Sequence, residues 1–117
     1  MKNYFQHKLS NLISVNKIVT IHYFEFNKDF QTAGEAHDFW EIVYAEKESV
    51  FCTADGQEIV LEQGDVLFHK PNEFHTLASN GKTAPNVFIL SFVCKSESIK
   101  YFENKKFRLS PHLAKFI

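Results

Sequence analysis

Glu35, His37, Phe39, Glu41 and Val43 recur two residues apart, and on an extended strand residues two apart point to one face. Two carboxylates and an imidazole on an otherwise apolar strand face are costly to bury unless they pair or bind something. A second segment runs Gly64-Asp65-Val66-Leu67-Phe68-His69-Lys70-Pro71-Asn72-Glu73-Phe74-His75 and closes on another imidazole. The reading is that Glu35, His37, Phe39, Glu41 and His75, with His22, line the pocket of a small β-barrel. A histidine next to a carboxylate can be a satisfied hydrogen-bonded pair, or part of a cluster that grips a polar ligand. No residue is assigned as a catalytic nucleophile.

The other histidines and the tryptophan leave alternatives open. His22 shares a strand with Phe24 and Phe26, as a half-buried core residue or a pocket residue. His69, beside Lys70, faces either pocket or surface; His7 and His112 are expected in solvent. Trp40 has the parity opposite to His37 and Glu41, so it is read as covered by C-terminal elements, or else as a platform for a sugar ring.

These residues need strands to position them. Residues 17–27 alternate β-branched and aromatic side chains, with both faces apolar, which predicts a strand covered on both sides. Further strands are predicted over 37–45, 50–54, 57–62, 66–70, 74–78 and 86–94. Asp55-Gly56 marks a hairpin, and Pro71-Asn72 a break. Short strands at close spacing argue for an all-β sandwich or barrel. After residue 95 the pattern changes. Residues 97–103 have helical spacing behind Ser96 or Ser98 as cap, and Ser110-Pro111 reads as a second helix start with Leu113, Phe116 and Ile117 as its stripe. Tyr101, Phe102, Leu109, Leu113 and Phe116 would pack on the barrel or meet a partner. A helix capped so near Ile117 implies that the natural chain continues.

Composition bounds the rest. The 117 residues suffice for one domain, and 44% hydrophobic content with 13 Phe fits a β-rich, aromatic interior. Thirteen Lys+Arg against 14 Asp+Glu give a net charge of -1, without the basic surplus of a nucleic-acid surface. Cys52 and Cys94 stand apart, outside any CxxC pattern, and read as buried reduced thiols of a cytoplasmic protein. No signal-peptide core or membrane-length apolar run is present in the sequence.

Three stretches resemble a known family. They are His37-Asp38-Phe39-Trp40-Glu41-Ile42-Val43-Tyr44, then Leu61-Glu62-Gln63-Gly64-Asp65-Val66-Leu67 with Pro71 and His75, and Phe107-Arg108-Leu109-Ser110. They look like the cupin superfamily, and more closely the N-terminal effector domain of AraC-type transcriptional regulators. The resemblance implies a mainly β fold, a cupin-like double-stranded β-helix (jelly-roll) barrel with one or two C-terminal helices packed outside. It places the barrel and its N-terminal arm at 1–95, and the start of a helical linker or dimerisation segment at 96–117. It implies a small-molecule-sensing domain whose effector is a small polar metabolite such as a sugar. Such a domain can form a homodimer, and it reaches DNA only through helix-turn-helix modules that this chain lacks.

The resemblance also carries a ligand set. A metal-binding cupin presents His-x-His, a later Glu and a third His. Glu35 falls at the first His, His37 at the second, Glu41 at the Glu and His75 at the third. His37, Glu41 and His75 are therefore the metal candidates, although no cofactor is expected where Glu35 replaces an imidazole. Asn72 and Glu73 stand where the family has a turn-tightening glycine. The alternative function is a free-standing metal-dependent cupin enzyme of dioxygenase or isomerase type, using a divalent transition metal.

Overall fold

A computed structural model describes residues 14–110. Eight strands follow one another: β1 (Val15–Glu25), β2 (Trp40–Lys47), β3 (Val50–Ala54), β4 (Gln57–Leu61), β5 (Asp65–His69), β6 (His75–Ser79), β7 (Asn86–Cys94) and β8 (Lys106–Arg108). A 3-10 helix, Glu97–Phe102, separates β7 from β8. The strands form a five-stranded sheet in the order β1-β7-β2-β5-β8 and a three-stranded sheet in the order β4-β3-β6, with antiparallel pairing throughout. This is the mainly β barrel that the alternating patterns predict. Among the described residues no helix is long and apolar enough to cross a membrane.

Period-two alternation decides what faces inward. Val43 and Ala45 of β2, Val50 and Cys52 of β3, Leu61 of β4, Leu67 of β5, Leu77 of β6 and Val87 of β7 close one core between the sheets. The alternate residues of the large sheet turn outward. There Trp40 packs with Phe92, Cys94 and Ile99, and Phe102 of the 3-10 helix lies against them. Both cysteines are buried and free.

Three expectations are corrected. β1 is not covered on both sides: it forms one edge of the large sheet, and Ile18, Ile21 and Tyr23 are exposed. Only its inward face, Thr20, His22 and Phe24, meets the barrel interior. β2 begins at Trp40, so Glu35, His37 and Phe39 precede the strand instead of sharing its face. The first C-terminal segment is a 3-10 turn rather than an α-helix, and residues 106–108 add a strand beside β5. The second helix, from Ser110-Pro111, and His7 and His112 lie on or beyond the ends of the described residues.

Candidate functional site

Register places the first polar residues. In the large sheet Thr20 pairs with Ser91, Ser91 with Glu41, and Glu41 with His69, giving one row across β1, β7, β2 and β5. Glu41 and Ser91 of this row face the interior. His75 opens β6 on the opposite sheet, across from them. Glu35 reaches the same place without a strand: its N–H donates to the His75 carbonyl at 3.0 Å, and the His75 N–H donates back at 2.9 Å. The chain enters this bridge through Gly34 at φ 101°, where any Cβ would run into the Phe74 ring. The His37 carbonyl accepts from the Asn72 N–H at 2.6 Å. Asn72 adopts φ 65°, a left-handed conformation that asparagine tolerates better than most residues. It therefore makes the tight turn for which the family pattern has glycine.

The result is a compact cluster. One ligand atom each of Glu35, His37, Glu41 and His75 lies within 4.8 Å of the others. His37 Nε2 is 3.3 Å from Glu41 Oε1 and 3.8 Å from Glu35 Oε1. His75 Nε2 is 3.2 Å from Glu41 Oε2 and 3.7 Å from Glu35 Oε1. Glu41 and His75 are buried, whereas the Glu35 side chain is 66% exposed at the rim.

Hydrogen bonding fixes the tautomers. His37 Nδ1 lies 3.2 Å from the Phe39 carbonyl and His75 Nδ1 2.9 Å from the Glu73 carbonyl. A carbonyl oxygen only accepts, so each Nδ1 carries the proton. Each Nε2 turns toward the carboxylates: His37 Nε2 hydrogen-bonds Glu41 Oε1 at 3.3 Å, whereas His75 Nε2, 3.2 Å from Glu41 Oε2, is buried without a hydrogen-bond partner among the described residues. Burial pushes the Glu41 carboxyl up, but His75, His69 and His37 outweigh it and hold the group below its usual value. Burial pushes His75 down, and the Glu41 carboxylate and the Glu73 carbonyl more than reverse that, leaving it raised.

These residues fit a divalent transition metal. Two imidazoles and two carboxylates converge, and each imidazole is held through its other nitrogen by a backbone carbonyl, as metal-ligating histidines commonly are. An ion there would supply Lewis acidity at the cavity's polar end. Burial and the Glu41 charge push the Cys52 thiol up to about 12.

The cluster is one end of a cavity of about 570 Å3. All six predicted pocket residues, Glu35, His37, Phe39, Glu41, His75 and His22, line it. Phe39 stacks on the His37 ring at 3.9 Å between centroids. His22 is exposed and lines the cavity beside Phe24, with 5.4 Å between the ring centroids. Three features escaped the sequence reading. One is which aromatics line the cavity: Phe24, Phe26 and Phe30 stack at 5.1 and 3.8 Å. Another is Ser91, whose strand parity with Val87 and Ile89 was the available signal. The third is a pair behind the site. His69 Nδ1 meets Glu73 Oε1 at 2.7 Å, both side chains fully buried, and the His69 ring stacks on His75 at 4.3 Å.

An eight-stranded barrel of two antiparallel sheets, with a His/Glu cluster opening on an interior cavity, defines a cupin. Solved cupins agree in fold. A predicted oxalate decarboxylase from Thermotoga maritima aligns with a TM-score of 0.63 and 19% identity, over 67% of this chain and 69% of that one. An RmlC-like cupin from Shewanella frigidimarina gives 0.60 and 18%, over 69% and 70%. A cupin superfamily protein from Desulfitobacterium hafniense gives 0.60 and 18%, over 68% and 71%. No curated protein matches the chain in sequence. The family pattern of the AraC-like ligand binding domain matches residues 21–95, and the chain belongs to that family.

Proposed function

We propose that this chain is the small-molecule-sensing and dimerisation domain of an AraC-type transcription regulator in the cytoplasm. A small polar metabolite, of which a sugar is one example, enters the cavity and is held by Glu35, His37, Glu41 and His75. Binding then shifts the population of arrangements available to attached helix-turn-helix modules. The observation that carries this reading is the open cavity ending in an incompletely satisfied polar cluster, in a chain of a ligand-binding family. Two measurements test it. The natural coding sequence beyond the codon for Ile117 should continue into helix-turn-helix patterns with a basic surplus. A metabolite panel read by calorimetry and by sedimentation should yield a ligand whose binding changes assembly. A stop codon within a few residues, or a ligand that leaves assembly unchanged, would count against a regulator.

One observation favours a second reading, a metal-dependent cupin enzyme of dioxygenase or isomerase type. Both imidazoles present Nε2 to the two carboxylates with their Nδ1–H groups already occupied. Elemental analysis of tag-free protein separates the readings: stoichiometric transition metal favours the enzyme. Protein that folds without metal, and gains no stability from added metal, favours the sensor.

A further inference from the structure

The cavity narrows the class of its ligand, on the footing that it is a small-molecule site at all. Among the described residues its lining holds two carboxylates, Glu35 and Glu41, and no lysine or arginine. A carboxylate or phosphate ligand would meet like charge there, which is disfavoured at close range. Hydrogen-bonding capacity points the same way. The Glu35 and Glu41 oxygens are acceptors, and each facing imidazole already gives its Nδ1–H to a backbone carbonyl. Four carboxylate oxygens converge there against few donors, Ser91 Oγ at 3.5 Å and His37 Nε2 at 3.3 Å from Glu41 Oε1, and His75 Nε2 is buried with no hydrogen-bond partner among the described residues. What completes such a set is a compact group with several donors and a positive charge. An ammonium head, with three N–H donors and no acceptor, matches it.

The other end asks for something different. Phe24, Phe26 and Phe30 form a continuous stacked wall, and Leu77 and Ile89 complete it. A compact polyol held at the polar cluster would leave this surface wet, whereas an apolar body would cover it. The volume of about 570 Å3 has room for both parts of such a molecule.

We propose that the cavity binds an amphipathic amine: a primary ammonium set among Glu35, Glu41 and the Nε2 atoms of His37 and His75, with an aromatic or aliphatic body laid along Phe24, Phe26 and Phe30.

Calorimetry on the full chain, chelator-treated so that each probe meets the side chains alone, tests this with one body and three heads. The probes are 2-phenylethylamine, 2-phenylethanol and phenylacetate, with galactose as a polar molecule lacking the body. The amine is expected to bind at least about tenfold more tightly than the alcohol, with phenylacetate and galactose weaker still. Glu41→Gln, checked for an unchanged melting transition, should erase the amine's advantage over the alcohol. Phe30→Ala should weaken both together. Equal affinity for amine and alcohol, or a preference for phenylacetate or galactose, overturns the amphipathic amine and leaves the small-molecule cavity standing. Silence from all four probes also overturns it, and the wider metabolite panel then judges the sensing reading separately.

Discussion

Two His–Glu pairs in this molecule have the same residue types at the same i,i+4 separation, and they do opposite things. His69 and Glu73 are sealed between β5 and β6, 2.7 Å apart, with essentially no exposed surface. His37 and Glu41 sit at the cavity, 3.3 Å apart, with Glu35 and His75 completing the group. In the sealed pair burial holds His69 neutral, pushed down to about 4, so its Nδ1–H donates to the Glu73 carboxylate. Donor meets acceptor, although Glu73 Oε2 is left without a partner and burial raises that carboxyl. At the cavity the acceptors outnumber the donors. Spacing therefore does not distinguish holding from binding; the balance of donors and acceptors does.

The largest expected effect breaks the sealed pair. Glu73→Ala removes one partner of a buried pair and leaves the His69 N–H without an acceptor, a change that costs about 3–4 kcal/mol. Urea unfolding measures it. Glu73→Gln, whose amide oxygen still accepts, should recover most of the loss. A cost under about 1 kcal/mol for the alanine variant would mean that the pair does not hold the β5–β6 connection.

The next effect is the pH dependence, in which the two buried imidazoles, His69 and His75, have opposite signs. His69 is depressed on folding, so the unfolded chain binds its proton first. Its contribution is complete above about pH 6.5 and is lost as pH falls toward about 4. At about 1.4 kcal/mol per unit, this is on the order of 3 kcal/mol. His75 is raised, so its contribution is complete below its unfolded value and is lost as pH rises through the folded one. Glu41, lowered on folding, adds stability above its unfolded value that disappears only in stronger acid. Denaturation across pH should show an acid limb that His69→Asn removes and an alkaline limb that His75→Gln removes. A single limb insensitive to His69→Asn would place the protonation elsewhere.

Glu41→Gln sharpens the comparison from the other side. It removes the charge that the facing imidazoles hold and keeps the shape and one acceptor oxygen, so stability should fall only modestly, by about 1 kcal/mol. Zinc affinity, measured by calorimetry on chelator-treated protein, should fall about tenfold or more, because an amide is a poor ligand. A large stability loss with unchanged zinc binding would make the cavity cluster structural, like the sealed pair.

Much of this arrangement is legible in the chain. The strand over 86–94 and the Asp55-Gly56 hairpin follow from alternation and turn chemistry, both being local signals. The pocket residues are legible as residue types, but for a partly mistaken reason. Glu35 and His37 join Glu41 through a backbone bridge to His75 and a turn at Asn72, not through a shared strand face. That is a long-range contact without a local pattern. His69 has the inward parity of Leu67, a usable signal that the neighbouring Lys70 masks. The exposed outer face of β1 is illegible for a similar reason, since edge position depends on sheet order rather than on composition.

The smallest effect concerns how the cavity cluster is held. Asn72 stands in the left-handed region, at the turn that carries the chain from β5 to His75, and its N–H anchors the His37 carbonyl. Glycine adopts this conformation freely, asparagine at modest cost, alanine less readily. Asn72→Gly should keep the melting temperature within a few degrees, whereas Asn72→Ala should cost about 1 kcal/mol. Ligand or zinc affinity should follow the same order, because a turn that relaxes moves the His37 carbonyl and the path to His75 together. Equal stability for the two variants would show that the backbone at residue 72 is not under strain. The cluster would then owe its geometry to the Glu35–His75 bridge, and Gly34→Ala, which drives a Cβ into Phe74, would become the decisive substitution.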